Sequence, residues 1–91
     1  MKNVLITTQH RGVFFAQISE SADLTAKMLT DLKNCRMAIY WGTTKGVMEL
    51  ATEGPNSNSK IGSPADIDVL HDITAVFNVT DKAAEKWTLA K

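Results

Sequence analysis

Apolar and polar residues alternate along much of the chain, and this period of two predicts a series of β-strands. Strands are predicted at residues 2–8, 13–19, 24–32, 36–41 and 67–79, with a short edge strand at Lys60 and Ile61. Residues 24–32 leave a choice, because their good helix formers also suit a helix over 22–32; the strand is preferred. A hairpin turn is expected at Lys33 and Asn34.

The second predicted strand is apolar on both faces. Val13 and Phe15 lie on one face, and Phe14, Ala16 and Ile18 lie on the other. Such a strand is either covered on both sides or offers one face to a partner. Together with the small size of the chain, this pattern leads us to expect a homo-oligomer.

Two helices are predicted, each with its own capping signals. The first covers residues 45–53, where Val47, Leu50 and Ala51 form an apolar stripe. Thr43 or Thr44 would cap its start, and Gly54 with Pro55 would end it. The second helix runs from Thr80 or Asp81 to about residue 90, with Ala83 and Trp87 one turn apart.

These elements predict a single domain over residues 1–91 of the α+β class. One mostly antiparallel sheet of four to six strands would carry the two short helices on one face or at one end. No repeat, low-complexity run or linker divides the chain.

Charge and composition exclude several classes of protein. Ten basic and ten acidic residues give a net charge of zero, which argues against sequence-specific nucleic-acid binding driven by basic charge. No apolar stretch is long enough to span a membrane, so no membrane partner is expected. The single cysteine excludes an intrachain disulfide, and with no signal peptide we expect a cytoplasmic protein.

Catalytic and metal-binding patterns are absent from the sequence. His10, His71 and Cys35 are too far apart for a typical metal-ligand spacing, and no nucleophile motif or phosphate-binding glycine loop is present. Cys35 is expected to be a small buried thiol. We therefore predict a protein that is not an enzyme and needs no metal or cofactor.

The candidate binding site lies where the fourth main strand meets the first helix. Tyr40 or Trp41 would stack on a base. Asn34 and Arg36 would donate amide and guanidinium hydrogen bonds to an anionic ligand. The positive helix start at Thr43 and Thr44 would add backbone N–H groups. Alternatively, Trp41 belongs to the core, Tyr40 packs on a neighbouring strand and the threonines form an ordinary cap.

The loop over residues 54–60 adds further hydrogen-bond donors to this region. Asn58 and Lys60 complete the candidate ligand-binding set in that loop. The segment is either a lid over an anionic ligand or a plain connection between a helix and a strand.

Several motifs resemble a family of small uncharacterised proteins that are encoded by tailed phages and prophages. The resemblance rests on residues 32–41 (LKNCRMAIYW), 43–46 (TTKG), 54–62 (GPNSNSKIG) and 72–76 (DITAV). It extends from Gly12 to Trp87, and its most specific part is an N-[AC]-R…YW core followed by a short helix and a glycine. Where the family often has two consecutive arginines, this chain has Arg36 and Met37.

The resemblance implies an accessory role rather than a settled activity. By analogy with other small β-rich phage proteins, we expect a non-catalytic protein that sequesters a small anionic, nucleotide-like ligand to counter a host defence. The alternative is an inhibitor that docks on a host or CRISPR protein through an exposed sheet face. In the first case, Arg36→Ala should abolish ligand binding and leave the melting temperature near that of the wild type.

Overall fold

Six strands and two short helices alternate along the chain in the computed structural model, which describes residues 2–9, 12–22, 25, 28–40, 47–55 and 59–90. The elements are, in order, β1 (Lys2–Thr8), β2 (Val13–Ile18), β3 (Leu29–Tyr40), α1 (Val47–Thr52), β4 (Lys60–Ile61), β5 (Ala65–Leu70), β6 (Ile73–Asn78) and α2 (Asp81–Leu89). The predicted antiparallel sheet with two helices is confirmed, and the class is mostly β with small helices.

The long strand β3 organises the sheet. The order of the strands is β4-β3-β2-β1-β6, and β5 also pairs with β3. Along one side β3 pairs with β2, while along the other side its two halves pair with β5 and then with β4. All of these pairings are antiparallel.

The central strands β1 and β2 are buried on both faces. On one face Leu5, Val13 and Phe15 join a core that includes residues of both helices, and the Phe15 ring stacks on Trp87 with centroids 5.5 Å apart. On the other face Val4, Ile6, Ala16 and Ile18 form a second core with β3, β5 and β6. The doubly apolar pattern of β2 therefore reflects cover from both sides within one chain.

The predicted turn at Lys33 and Asn34 is wrong, because β3 continues through both residues. Asn34 has a φ of 51°, and the pairing of β3 with both neighbours shifts register around it. Asparagine tolerates this left-handed conformation, so it forms a bulge instead of a turn. Of the strand predicted over residues 24–32, residues 29–32 form the start of β3, whereas Thr25 and Met28 are not in a strand. Residues 24, 26 and 27 lie outside the described residues.

The strand predicted over residues 67–79 is in fact two strands, β5 and β6. The chain turns at His71 and Asp72, where Asp72 has a φ of 59°. A register shift in the pairing of β6 with β1, between Ile73 and Ala75, also changes the phase of the alternation: Phe77 packs on the first core, whereas Ile73 and Val76 pack on the second. Uninterrupted alternation over residues 67–79 would put His71 on the same face as Ile73 and Phe77, but His71 lies in the turn and is exposed.

The start of α2 and the end of α1 lie where the capping signals place them. Thr80 caps α2, and α1 ends at Thr52, two residues before Gly54, whose φ of 86° lies in the left-handed region. A Cβ atom on Gly54 would lie 2.8 Å from the Cβ of Lys86 and 3.1 Å from the Ala83 carbonyl oxygen, so glycine also permits close approach of α2. The predicted caps Thr43 and Thr44 lie outside the described residues.

Candidate functional site

Arg36 lies near the middle of β3. Among the charged residues that the structure describes, it is the one that is buried, with 7% of its surface exposed. Its Nε donates a hydrogen bond to the carbonyl oxygen of Gly62 at 2.8 Å. Its Nη1 donates to the carbonyl oxygens of Trp87 at 2.8 Å and Thr88 at 3.4 Å. The guanidinium thus joins β3 to the segment after β4 and to the last turn of α2.

This position follows from strand alternation. Arg36 and Ala38 point to the buried face of β3, whereas Met37 and Ile39 point outward. The last carbonyl groups of a helix lack intrahelical partners and carry partial negative charge, so a cation satisfies them well. Arg36 therefore has a structural role, and the expectation that Arg36→Ala would leave the melting temperature unchanged conflicts with these contacts.

A cavity of about 210 Å³ opens beside Arg36. Its walls come from β2, β3, the segment before β5 and the end of α2; the lining residues are Phe15, Gln17, Asn34, Arg36, Pro64 and Thr88. Arg36 is the one charged residue among them. The three carbonyl contacts use Nε and Nη1 of the guanidinium and do not use Nη2.

A row of amide side chains forms the polar wall of this cavity. Asn34 Nδ2 donates to Gln17 Oε1 at 2.7 Å, and Gln17 Nε2 donates to Asn3 Oδ1 at 3.1 Å. The row crosses three neighbouring strands, because Gln17 is paired with Asn3 and lies beside the Asn34 bulge. The second N–H of the Asn34 amide is not used in these bonds.

Asp66 places a negative charge next to the cavity, beside Asn34 and Lys33. Its Oδ1 accepts a hydrogen bond from the backbone N–H of Asn34 at 3.0 Å, and its Oδ2 lies 3.7 Å from Lys33 Nζ. Both side chains of this ion pair are about half exposed, so solvent screens the pair. Arg36 therefore remains the principal positive group at the cavity wall.

The structure brings together two of the predicted site residues, Asn34 and Arg36. Lys60 is exposed on β4, where it pairs with the backbone of Tyr40, and the Tyr40 side chain is not described. The other predicted site residues, Trp41, Thr43, Thr44 and Asn58, lie outside the described residues.

Four residues at the cavity were not singled out from the sequence: Phe15, Gln17, Pro64 and Thr88. Gln17 did carry a signal, because it is the one polar residue in the otherwise apolar strand β2. The positions of Pro64 and Thr88 depend on long-range pairing, which no local pattern shows.

Cys35 lies beside this site but faces the second core. It is buried, as expected, and burial raises the pKa of the Cys35 thiol; Asp66 adds to this rise, and a backbone hydrogen bond with Ile67 opposes it. The thiol is therefore protonated at neutral pH and a weak nucleophile. The described residues contain no group of three or more His, Cys, Asp or Glu placed to hold a metal.

The helices in the described part of the chain are too short or too polar to cross a membrane. The fold and the cavity define a small, mostly β domain with a buried arginine in the wall of a polar cavity. The chain belongs to the family described as a domain of unknown function, DUF6948, whose model matches residues 1–87. No curated protein and no solved structure matches the chain.

Proposed function

We propose that the protein is a non-catalytic binding protein, and that the cavity beside Arg36 takes the anionic group of a small ligand. The observation that carries this proposal is a buried guanidinium in a cavity wall that also holds amide donors. Guanidinium and amide N–H groups are the donors that phosphate and carboxylate oxygens prefer.

The size of the cavity limits what enters it. Pockets that enclose a whole drug-sized ligand measure about 300–1,000 Å³. A cavity of about 210 Å³ is smaller, and it suits a phosphate or carboxylate group with a few neighbouring atoms. A nucleotide would place its phosphate next to Arg36 and leave its base at the mouth, where Asn34 is exposed.

The chemistry of the lining supports binding rather than a reaction. Among the described residues that line the cavity, no side chain carries a carboxylate, imidazole or thiol, which are the usual general acids, bases and nucleophiles. The resemblance to small phage proteins supports a biological setting for such a site. In that setting the protein would sequester a nucleotide signal of a host defence.

The test is a titration of ¹⁵N-labelled protein with inorganic phosphate and with adenosine 5′-monophosphate, followed by NMR. We expect saturable shifts of the Arg36 Nε–H and Asn34 side-chain signals with both probes. Asn34→Asp keeps a residue type that tolerates positive φ and places a carboxylate at the cavity. It should weaken the binding of both probes about tenfold, which is about 1.4 kcal/mol.

Gln9→Glu is the matched control, because it adds the same charge at the opposite end of the β1–β2 hairpin, where Gln9 is exposed. It should leave both affinities unchanged. Absence of saturable shifts with either probe in the wild type would contradict the proposal. Equal affinity of Asn34→Asp and the wild type would contradict the assignment of the site.

A second candidate function, docking on a host protein, is favoured by one surface. Met37 and Ile39 are 43% and 56% exposed on the outer face of β3, and the half-buried Phe14 pairs with Met37. These three residues form the outer patch. Solvent-exposed apolar side chains grouped in this way are typical of interaction sites.

The docking function is tested by pull-down from a bacterial lysate with the wild type and with Met37→Gln/Ile39→Thr. A genuine partner should be captured in stoichiometric amount by the wild type and lost with this variant. Met28→Gln/Val69→Thr is the control, because Met28 and Val69 are similarly exposed, at 45% and 44%, outside the outer patch. Equal capture by both variants would remove the outer patch from consideration.

A further inference from the structure

A single positive charge lies in the wall of the cavity beside Arg36. Among the described residues that line this cavity, Arg36 is the only one with a charged side chain. The ion pair of Lys33 and Asp66 adjoins Asn34 at the same wall, and its two charges oppose each other. An anion in the cavity therefore meets, in effect, the charge of one guanidinium.

The carbonyl groups around Arg36 weaken the field of that charge. Gly62, Trp87 and Thr88 each accept a hydrogen bond from the guanidinium through a carbonyl oxygen. Trp87 and Thr88 belong to the last turn of α2, where the aligned peptide dipoles place partial negative charge. The positive charge of Arg36 is thus partly compensated by the protein itself.

The cost of leaving water separates anions with one charge from anions with two. Attraction to one guanidinium doubles when the charge of the ligand doubles. The cost of desolvation rises more steeply, because the Born energy of an ion grows with the square of its charge. Phe15, which is 1% exposed, and Pro64 supply apolar parts of the wall, which offer a second charge no hydrogen bond.

We infer that the group bound beside Arg36 carries one negative charge, as a carboxylate or a phosphodiester does, and is not the doubly charged phosphate of a monoester. This inference rests on the proposed function, because it names the class of anion that the same cavity takes. Both groups share one charge between two oxygens, which would accept from the guanidinium and from the Asn34 amide. A nucleotide would bind through a diester rather than through a terminal phosphate.

The test compares three small probes by NMR titration at low ionic strength: dimethyl phosphate, acetate and monomethyl phosphate. At about pH 8 the first two carry one charge and monomethyl phosphate carries two, because the second pKa of a phosphate monoester is about 6. The tighter-binding monoanion should exceed monomethyl phosphate in affinity by about fivefold or more. Which of the two monoanions binds more tightly distinguishes a phosphodiester ligand from a carboxylate.

Asp66→Asn tests whether charge sets this order. Asparagine keeps an oxygen that can accept from the N–H of Asn34, and it removes the charge that opposes Lys33. The Coulomb energy is proportional to the charge of the ligand, so a gain of about twofold for a monoanion becomes about fourfold for the dianion. The preference for the monoanion should therefore narrow by about twofold.

Asp81→Asn is the matched control, because it removes the same charge at the end of α2 opposite to Thr88, and it should leave the preference unchanged. Monomethyl phosphate that binds at least as tightly as both monoanions would overturn the inference and leave the proposed function intact. The same preference in Asp66→Asn and Asp81→Asn would also overturn it. Absence of saturable binding by all three probes would contradict the proposed function as well.

Discussion

At the scale of single residues, Arg36 combines two tasks that usually fall to different side chains. Part of its guanidinium satisfies carbonyl oxygens at the end of α2 and at Gly62, and the residue also lines the cavity. The structural bonds hold the side chain in one orientation, which the proposed ligand would find already formed. Such preorganisation lowers the entropic cost of binding.

Arg36→Ala should destabilise the protein by about 2–4 kcal/mol, because it removes buried packing and leaves carbonyl oxygens without a donor. Arg36→Lys should recover only part of this loss, since one ammonium cannot reproduce the forked geometry of a guanidinium. Urea denaturation measures both free energies of unfolding.

The neighbouring exposed residue Lys33 provides the control for this series. Lys33→Ala should change the free energy of unfolding by less than about 0.5 kcal/mol, because its ion pair with Asp66 is exposed. If Arg36→Ala were as mild as Lys33→Ala, the structural role of Arg36 would be wrong.

The sequence indicated Arg36 as a functional residue but not its partners. Trp87 lies 51 positions further along the chain, and only the docking of α2 brings its carbonyl group to the guanidinium. Local patterns show which face of a strand a residue takes. They do not show which distant element covers that face.

At the scale of elements, Thr80 links the two helices through one side chain. Its Oγ1 accepts a hydrogen bond from the N–H of Ala83 at 3.1 Å and donates one to the carbonyl oxygen of Thr52 at 2.7 Å. Its own N–H donates to the carbonyl oxygen of Ala51 at 3.0 Å. The start of α2 therefore caps the end of α1.

Thr80→Val should cost about 1–2 kcal/mol of stability, because it removes the hydroxyl while keeping the shape of the side chain. Thr80→Ser keeps the hydroxyl and should remain close to the wild type. The free energy of unfolding by urea distinguishes the two variants.

Thr88→Val serves as the comparison, since the hydroxyl of Thr88 donates to the Ala84 carbonyl oxygen of the same helix, one turn earlier. Its effect should be clearly smaller than that of Thr80→Val. Equal stability of Thr80→Val and Thr80→Ser would show that the hydroxyl does not join the helices.

The elements themselves were predictable where local signals are unambiguous. The bounds of β1 and the cap of α2 agree with the prediction, because alternation and a capping threonine act over a few residues. The errors occurred at Asn34 and Asp72, both with positive φ. Asn and Asp tolerate that conformation in turns and in bulges alike, so residue type alone could not show that one was a bulge and the other a turn.

At the scale of the whole molecule, two cores on opposite faces of β1 and β2 explain how a short chain buries enough apolar surface to fold. The doubly apolar β2 suggested a homo-oligomer from the sequence. The structure removes that reason, because the chain covers both faces itself.

The contact between Arg36 and α2 also affects the order in which the chain folds on the ribosome. Every described strand precedes α2 along the chain, so Arg36 leaves the ribosome before its carbonyl partners at Trp87 and Thr88. Until those residues leave the exit tunnel, the Arg36 guanidinium lacks two of its carbonyl partners, and water must solvate it on the face of β3 that α2 later covers. The sheet of a nascent chain therefore stays open on that face, and final closure waits for α2.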